Sequence, residues 1–256
     1  MDDKLQNKRF EYKYRLKEPK AREVSHFVGQ YLECDPYGAE QPDHSYTVQS
    51  LYLDSPSLKT YHDTINGTRN RFKLRIRYYT GNPEQPVYLE IKRRYDTVIR
   101  KKRAIVHRNR LTDLLGGQLP TSRCLVKKTP EQRHTLDQFC MLMNQLNAEP
   151  KVHVKYRREA YELPDSNSVR VTFDREVQTE RISGGKLVEN LQNPTSIFGS
   201  TVVLEIKFTN RYPHWLQEIT ERYHLWRESA AKYVDGILRL NGFPVEKIKS
   251  LDYELV

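Results

Sequence analysis

The sequence predicts an α+β fold: a closed antiparallel β-barrel whose interior forms a tunnel, with helices packed on its exterior. Three observations lead there. The tetrapeptide Leu-Glu-Ile-Lys occurs twice, at 89–92 and 204–207, with a shorter relative, Glu11-Tyr12-Lys13, near the start. Alternate residues of an extended strand share a face, so each copy sets a carboxylate beside an ammonium and its aliphatic residues opposite. The same alternation in Lys73-Leu74-Arg75-Ile76-Arg77 gathers three cations on one face. Like charges so placed repel unless something neutralises them. Helical apolar stripes between these strands can cover the aliphatic faces, which leaves the cationic faces to look inward on a polyanion.

The first strand is expected over 9–16. Pro19 then opens a helix carrying Val24, Phe27, Val28, Tyr31 and Leu32 at helical spacing. A strand at 49–53 and a short helix at 56–61 follow. Asn66-Gly67 turns the chain into a meander of charged strands at 71–79, 87–94 and 97–107, broken by Gly81-Asn82-Pro83 and by Tyr95-Asp96. Residues 110–115 read as a short helix ending at Gly116-Gly117. Thr129-Pro130-Glu131 starts a better one, with Leu136, Phe139, Cys140, Met143 and Leu146 on one face. Strands at 152–162, 169–175 and 201–209 repeat the charged theme. Between the last two lies 184–200, rich in Gly, Asn, Ser and Thr and long enough to act as a cover. The tail is helical, with stripes Leu216, Ile219, Tyr223, Trp226 and Tyr233, Val234, Ile237, Leu238 before a stop at Asn241-Gly242. No Pro-rich or charged linker interrupts the chain, so 1–256 reads as one domain.

Lys and Arg number 43 against 33 Asp and Glu, a net charge of +10. That balance favours anionic partners without choosing among nucleic acid, phosphorylated metabolites and an acidic membrane surface. Cys34, Cys124 and Cys140 form no CxxC and read as reduced thiols. Residues 1–9 carry no apolar h-region, and no apolar run approaches the ~20 residues that span a bilayer. The expectation is a soluble, cytosolic protein without a transmembrane segment, open to peripheral contact with a membrane partner. There is no P-loop, GxGxxG, HExxH or GxSxG, and the eight His are scattered. Tyr78-Tyr79 and Trp215 read as packing residues rather than base-stacking platforms, and no nucleic-acid partner is expected.

Taken in order, Glu11-Tyr12-Lys13-Tyr14, Ser50-Leu51-Tyr52-Leu53-Asp54-Ser55-Pro56, Leu74-Arg75-Ile76-Arg77-Tyr78-Tyr79, Glu90-Ile91-Lys92-Arg93-Arg94 and Ala231-Lys232-Tyr233 resemble the VTC domain. That is the catalytic domain of the vacuolar transporter chaperone polyphosphate polymerases, a triphosphate tunnel metalloenzyme fold related to the CYTH group. The resemblance covers residues 8 to 242. It implies a closed barrel that transfers the ATP γ-phosphate onto a growing polyphosphate chain with a divalent ion, Mn²⁺ or Mg²⁺. By motif, Lys13, Arg75, Arg77, Lys92, Lys102, Arg158, Arg170 and Lys232 match basic residues lining the tunnel, and Lys207, on the strand face of Glu205, is counted with them. Glu205 matches the metal-binding glutamate, with Glu90 as its helper, and Tyr156 a tyrosine at the nucleotide site. Arg75, Arg77, Lys92 and Glu205 are the residues expected to act on the transferred phosphoryl group. Eukaryotic members add an SPX domain and membrane segments. This chain has room for neither, so it resembles the free-standing microbial form, working in the cytoplasm or at the inner face of the membrane.

Departures from the family pattern qualify that expectation. Ala231 stands where members often have Ser before the tunnel Lys. Arg158 shares strand parity with Val152, Val154 and Tyr156, so either a bulge turns it inward or its assignment fails. Hydrolytic relatives begin ExExK, whereas Arg9 replaces the first acid here, which argues against a plain triphosphatase. The alternatives are a tripolyphosphatase or nucleoside triphosphatase of the same fold, and a non-catalytic polyanion-binding module. Retention of Glu205 and Lys92 disfavours the module, since binding alone needs no metal carboxylate.

Overall fold

A computed structural model describes residues 9–245 apart from 97, 165, 167, 183, 210 and 211. The ends of the single-domain reading, 1–8 and 246–256, lie outside the described residues, as does the Arg9 side chain. In chain order the elements are β1 (Arg9–Leu16), α1 (Glu18–Val28), β2 (Glu33–Cys34), α2 (Pro36–Ala39), β3 (Ser45–Asp54) and α3 (Lys59–Ile65). Next come β4 (Asn70–Tyr78), β5 (Val87–Tyr95), β6 (Val98–Val106), α4 (Leu111–Leu115) and α5 (Pro130–Gln145). The chain closes with β7 (Glu149–Glu162), β8 (Val169–Arg181), β9 (Thr195–Ser196), β10 (Val202–Thr209), α6 (His214–Arg222) and α7 (Lys232–Leu240).

Among the described residues the strands form one antiparallel sheet of ten, with main path β1-β10-β8-β7-β3-β4-β5-β6, while β2 pairs with β7 and β9 with β8. Hydrogen bonds do not close this sheet into the expected barrel. Among the described residues β1 and β6 are the two edges, and no ladder of hydrogen bonds joins them. The sheet is nonetheless strongly rolled. Lys92 on β5 and Glu11 on β1 come from opposite ends of the strand order, yet their charged groups meet at 3.3 Å. Only curvature toward the charged face can bring them together.

Alternation decides which side of each strand is covered. Leu74 and Ile76 of β4, Leu89 and Ile91 of β5, and Ala104 and Val106 of β6 pack beneath α4 and α5, against Leu111, Leu136, Phe139 and Met143. Tyr14 of β1, Leu204 and Ile206 of β10, and Val171 and Phe173 of β8 pack beneath α1 and α6, against Val24, Phe27, Leu216 and Ile219. Fully burying one such side chain is worth about 1.5–3 kcal/mol. α5 begins where the sequence places its cap, with the Thr129 hydroxyl accepting from the Gln132 N–H.

The expectation of helices packed on the exterior holds for α1, α4, α5 and α6 and not for α7. A third core joins Val48 and Tyr52 of β3, Val152, Val154 and Tyr156 of β7 and Val177 of β8 to Tyr233, Val234 and Ile237 of α7. These strand residues share the parity of the inward charges, so α7 lies inside the roll. This removes the difficulty over Arg158. It faces inward in register with Asp174, on the same side as Val152, Val154 and Tyr156, because that side is itself apolar where α7 covers it. The bulge belongs instead to β8. The pairing slips between Lys155↔Gln178 and Arg157↔Arg175, and Glu176 there has φ 51. The extra residue exchanges inward parity from Arg170, Thr172 and Asp174 to Val177 and Thr179, and the strand continues to Arg181 instead of ending at 175. Among the described residues no helix is long and apolar enough to cross a membrane.

Candidate active site

Inward parity on five strands brings most of the predicted cations to one place. Lys73, Arg75 and Arg77 project from β4, Glu90 and Lys92 from β5, Glu11 and Lys13 from β1, Glu205 and Lys207 from β10, and Arg158 from β7. The ladders set them opposite one another, with Arg75 beside Glu90, Lys73 beside Lys92, Lys13 beside Glu205 and Lys207 beside Glu11. Lys232 enters from the start of α7 and reaches Asp174 at 2.6 Å and Glu205 at 2.9 Å.

Glu90 is fully buried. One of its oxygens accepts from Arg75 Nε at 2.6 Å, and the other from Arg103 Nε at 2.8 Å. Lys101 lies 3.6 Å away and Arg77 4.0 Å. Burial opposes its charge, but Arg75, Arg77, Lys101 and Arg103 together hold the carboxyl well below the usual range. Glu205 is also buried, and its neighbours are mainly ammoniums: Lys207 at 2.7 Å, Lys232 at 2.9 Å and Lys13 at 3.7 Å. Burial again opposes ionisation, and those lysines with Arg158 overcome it. Asp174 is clasped by Nε and Nη2 of Arg158, at 2.7 and 2.8 Å. Glu11 sits 3.3 Å from both Lys13 and Lys92.

The cations in this array outnumber the carboxylates Glu11, Glu90, Asp174, Glu205, Glu228 and Asp235 near them. Lys73 records the excess. Burial first, then the charges of Lys92, Lys13 and Arg71, push its pKa down to about 7. Polar groups on the same face also lack hydrogen-bond partners among the described residues. Arg77 Nε and the Ser50 hydroxyl, on residues paired across β3 and β4, are buried without one, and so is the Thr172 hydroxyl. Buried donors left unpaired are costly. A cavity of about 500 Å³ opens beside the array, lined by Glu11, Lys13, Arg71, Lys73, Lys92 and Ala231 among others.

Two predicted residues are placed differently. Lys102 points to the outer face, where it donates to the Gln138 side chain of α5 at 3.0 Å. Its neighbours Lys101 and Arg103 are the inward members of β6, facing Lys92 and Glu90. Arg170 has inward parity, but its guanidinium is committed to Asp35 at 2.6 Å and Glu162 at 2.5 Å, at one end of the roll. Tyr156 lies within the array. Its hydroxyl accepts from Arg77 at 3.1 Å, and Arg158 and Lys232 approach its ring at 5.1 and 5.0 Å.

As metal ligands the two glutamates differ. Both oxygens of Glu90 are held by guanidinium groups in a fully buried place, which does not suit a hydrated divalent ion. Glu205 fits better: its neighbours hold it well below the usual carboxylate range, the nearest of them are ammoniums, and Lys13 links it to a second carboxylate, that of Glu11. Among the described residues there is no group of three or more His, Cys, Asp or Glu that could hold a metal ion. A hard cation taking six oxygens would therefore draw most of them from phosphate and water.

The family model for the VTC domain matches residues 8–241. Two solved structures are similar to this chain at low identity. A Bacillus halodurans protein provisionally described as an adenylate cyclase matches with a TM-score of 0.45 and 10% identity, over 86% of this chain and 91% of its own. The PH1819 protein of Pyrococcus horikoshii OT3 matches with a TM-score of 0.38 and 16% identity, over 95% and 96%. No curated protein matches the chain significantly.

Proposed function

The chain belongs to the VTC domain family, and from that premise and the cation array we propose that it is a metal-dependent polyphosphate polymerase. It transfers the γ-phosphate of ATP onto a growing polyphosphate chain. The observation that carries this reading is the convergence on one face of Arg75, Arg77, Lys92, Arg158 and Lys207, from strands spread across the sheet, and of Lys232 from the start of α7. Phosphoryl transfer asks a protein mainly to position the reactants and neutralise charge, which is what such a face offers.

Arg75 and Arg77 present guanidinium forks that can take phosphate oxygens two at a time. Arg77 is the freer of them, since Arg75 is drawn to Glu90. Lys13, Lys207 and Lys232 are point charges around Glu205 that can turn from carboxylate to phosphate as the substrate arrives. Glu205, with Glu11 beside it, would hold the divalent ion, Mn²⁺ or Mg²⁺, whose bound charge neutralises the phosphate oxygens. The nucleophile is the terminal oxygen of the acceptor chain, so no side-chain nucleophile is needed. The cavity lined by Lys13, Lys73 and Lys92 gives that chain a place beside the array.

Incubation of the pure protein with ATP and Mn²⁺, followed by electrophoresis of the products, tests the reading. Long polyphosphate chains are expected. Orthophosphate alone would make the protein a triphosphatase, and no turnover despite tight tripolyphosphate binding would make it a polyanion-binding module.

A further inference from the structure

A cluster of four tyrosines stands at one end of the charged face, and the phosphate-binding array makes no use of it. Tyr46 and Tyr88 project inward from β3 and β5, Tyr79 follows β4, and Tyr37 is carried over them by α2. The rings of Tyr37 and Tyr79 are stacked, with centroids 5.7 Å apart and planes within 13°. Tyr46 leans on both, at 5.7 and 6.0 Å, and Tyr88 meets the edge of Tyr79 at 5.6 Å. Tyr37 is nevertheless 54% exposed. The ring is thus braced by its neighbours while more than half of the residue stays open to solvent.

The cluster is held firmly. Asp35, 1% exposed, caps α2 by accepting from the Gly38 N–H at 2.9 Å, and it also accepts from the Tyr46 hydroxyl at 2.8 Å and Arg170 at 2.6 Å. A side chain at Gly38 would meet Cys34 Sγ at 2.7 Å and the His44 carbonyl at 2.8 Å, so the turn can approach β3 this closely only with glycine there. The cluster also adjoins the guanidinium groups. Tyr88 is the cross-strand partner of Arg77, and the Arg103 guanidinium lies 4.7 Å over the Tyr88 ring while bonding Glu90.

We propose that Tyr37, supported by Tyr46, Tyr79 and Tyr88, is a stacking platform for the nucleobase of the triphosphate donor, and that the donor enters the roll from this end. This rests on the reading of the charged face as a triphosphate site. Tyr156 cannot play that part, because it is 3% exposed and cations approach its ring, leaving no open face. A triphosphate on Arg77 and Arg103 leaves its nucleoside beside Tyr88 and Tyr37. Arg170, on this view, is a positioning residue that anchors the turn through Asp35. Stacking is tolerant of base identity because every base has a π-face. The platform therefore separates nucleotides from bare polyphosphate more than it separates ATP from GTP.

The test is equilibrium binding of a non-hydrolysable ATP analogue and of tripolyphosphate to the wild type, Tyr37→Ala and Tyr37→Phe. Tyr37→Ala should weaken the nucleotide about tenfold, the scale of one lost base-stacking contact. Tyr37→Phe should restore wild-type affinity, and tripolyphosphate should bind all three proteins equally. Nucleotide affinity unchanged in Tyr37→Ala, with tripolyphosphate bound normally, overturns the platform and leaves the triphosphate reading standing. So does an equal loss for both ligands. Failure of the wild type to bind tripolyphosphate overturns both. A Tyr37→Trp variant gives a second readout: its added fluorescence should be quenched by the nucleotide and not by tripolyphosphate, and quenching by neither counts against the platform.

Discussion

The two copies of Leu-Glu-Ile-Lys read alike in sequence and serve different ends in the fold. In the first, Glu90 is gripped on both oxygens by arginines from the flanking strands, and Lys92 turns away to Glu11 across the open seam of the sheet. In the second, Glu205 keeps its own Lys207 at 2.7 Å and is otherwise met by Lys232 and Lys13. Guanidinium forks are rigid and match a carboxylate in two bonds, whereas ammoniums are compact charges on flexible stems. The first carboxylate is thus fixed as an internal counter-ion that holds Arg75 and Arg103 in place. The second has partners that can exchange for phosphate. The same local motif thus sits among arginines from both flanking strands in one place, and among lysines from its own strand, from β1 and from α7 in the other.

That contrast can be broken first at Glu90. Glu90→Gln leaves Arg75, Arg103 and Lys101 around an uncharged group, and losing one partner of a buried ionic cluster typically costs about 3–5 kcal/mol. Urea unfolding should show a loss of that order, partly recovered with millimolar tripolyphosphate through binding to the native state. An unaltered midpoint would mean that Glu90 is not a structural counter-ion.

The arginines supply the next largest effect. Loss of one fixed donor to developing charge costs about 3 kcal/mol, on the order of a hundredfold in rate. Arg77→Ala should lower chain synthesis by that much, and Arg77→Lys should recover little of it, because a lysine lacks the fork. Activity of Arg77→Lys close to wild type would erase the distinction between rigid and exchangeable cations.

A smaller effect sharpens the lysine side. Lys73 has its pKa lowered to about 7 by burial and by Lys92, Lys13 and Arg71. The unfolded chain, with lysine near its ordinary value of ~10.4, then binds more protons than the native state above pH 7. Between about pH 7 and 10 this residue makes stability rise with pH. A phosphate ligand should restore the proton, so tripolyphosphate binding at pH 8 should take up protons and weaken as pH rises. Calorimetry in buffers of different ionisation enthalpy should detect the uptake, and Lys73→Met should reduce it. Equal proton uptake in that variant would assign the titration elsewhere.

Much of this was legible in the sequence, because strand alternation is a strong signal wherever one face is apolar. Arg75, Arg77, Glu90, Lys92, Glu205 and Lys207 follow from it directly. Lys102 was misplaced even though its own strand held the answer. Ala104 and Val106 are core residues of β6, and Lys102 shares their parity while Lys101 and Arg103 do not. Glu176 hid the true length of β8, since one residue at positive φ exchanges the parity on which the reading depends. The inward position of α7 was not legible, because a stripe of Tyr233, Val234 and Ile237 suits either side of a curved sheet. The tyrosine cluster is not legible in the sequence: Tyr79 alone reads as a packing residue, and Tyr37, Tyr46 and Tyr88, which join it, come from three other segments.

Glu205→Gln tests most directly whether the second copy is the site and the first the scaffold. The substitution keeps size and removes the charge that would hold the metal. Chain synthesis from ATP and Mn²⁺ should vanish, while tripolyphosphate should bind at least as tightly as to the wild type, because Lys13, Lys207 and Lys232 lose a competitor. Activity and tripolyphosphate affinity falling together, with a lowered unfolding midpoint, would contradict the account and make Glu205 a structural counter-ion like Glu90.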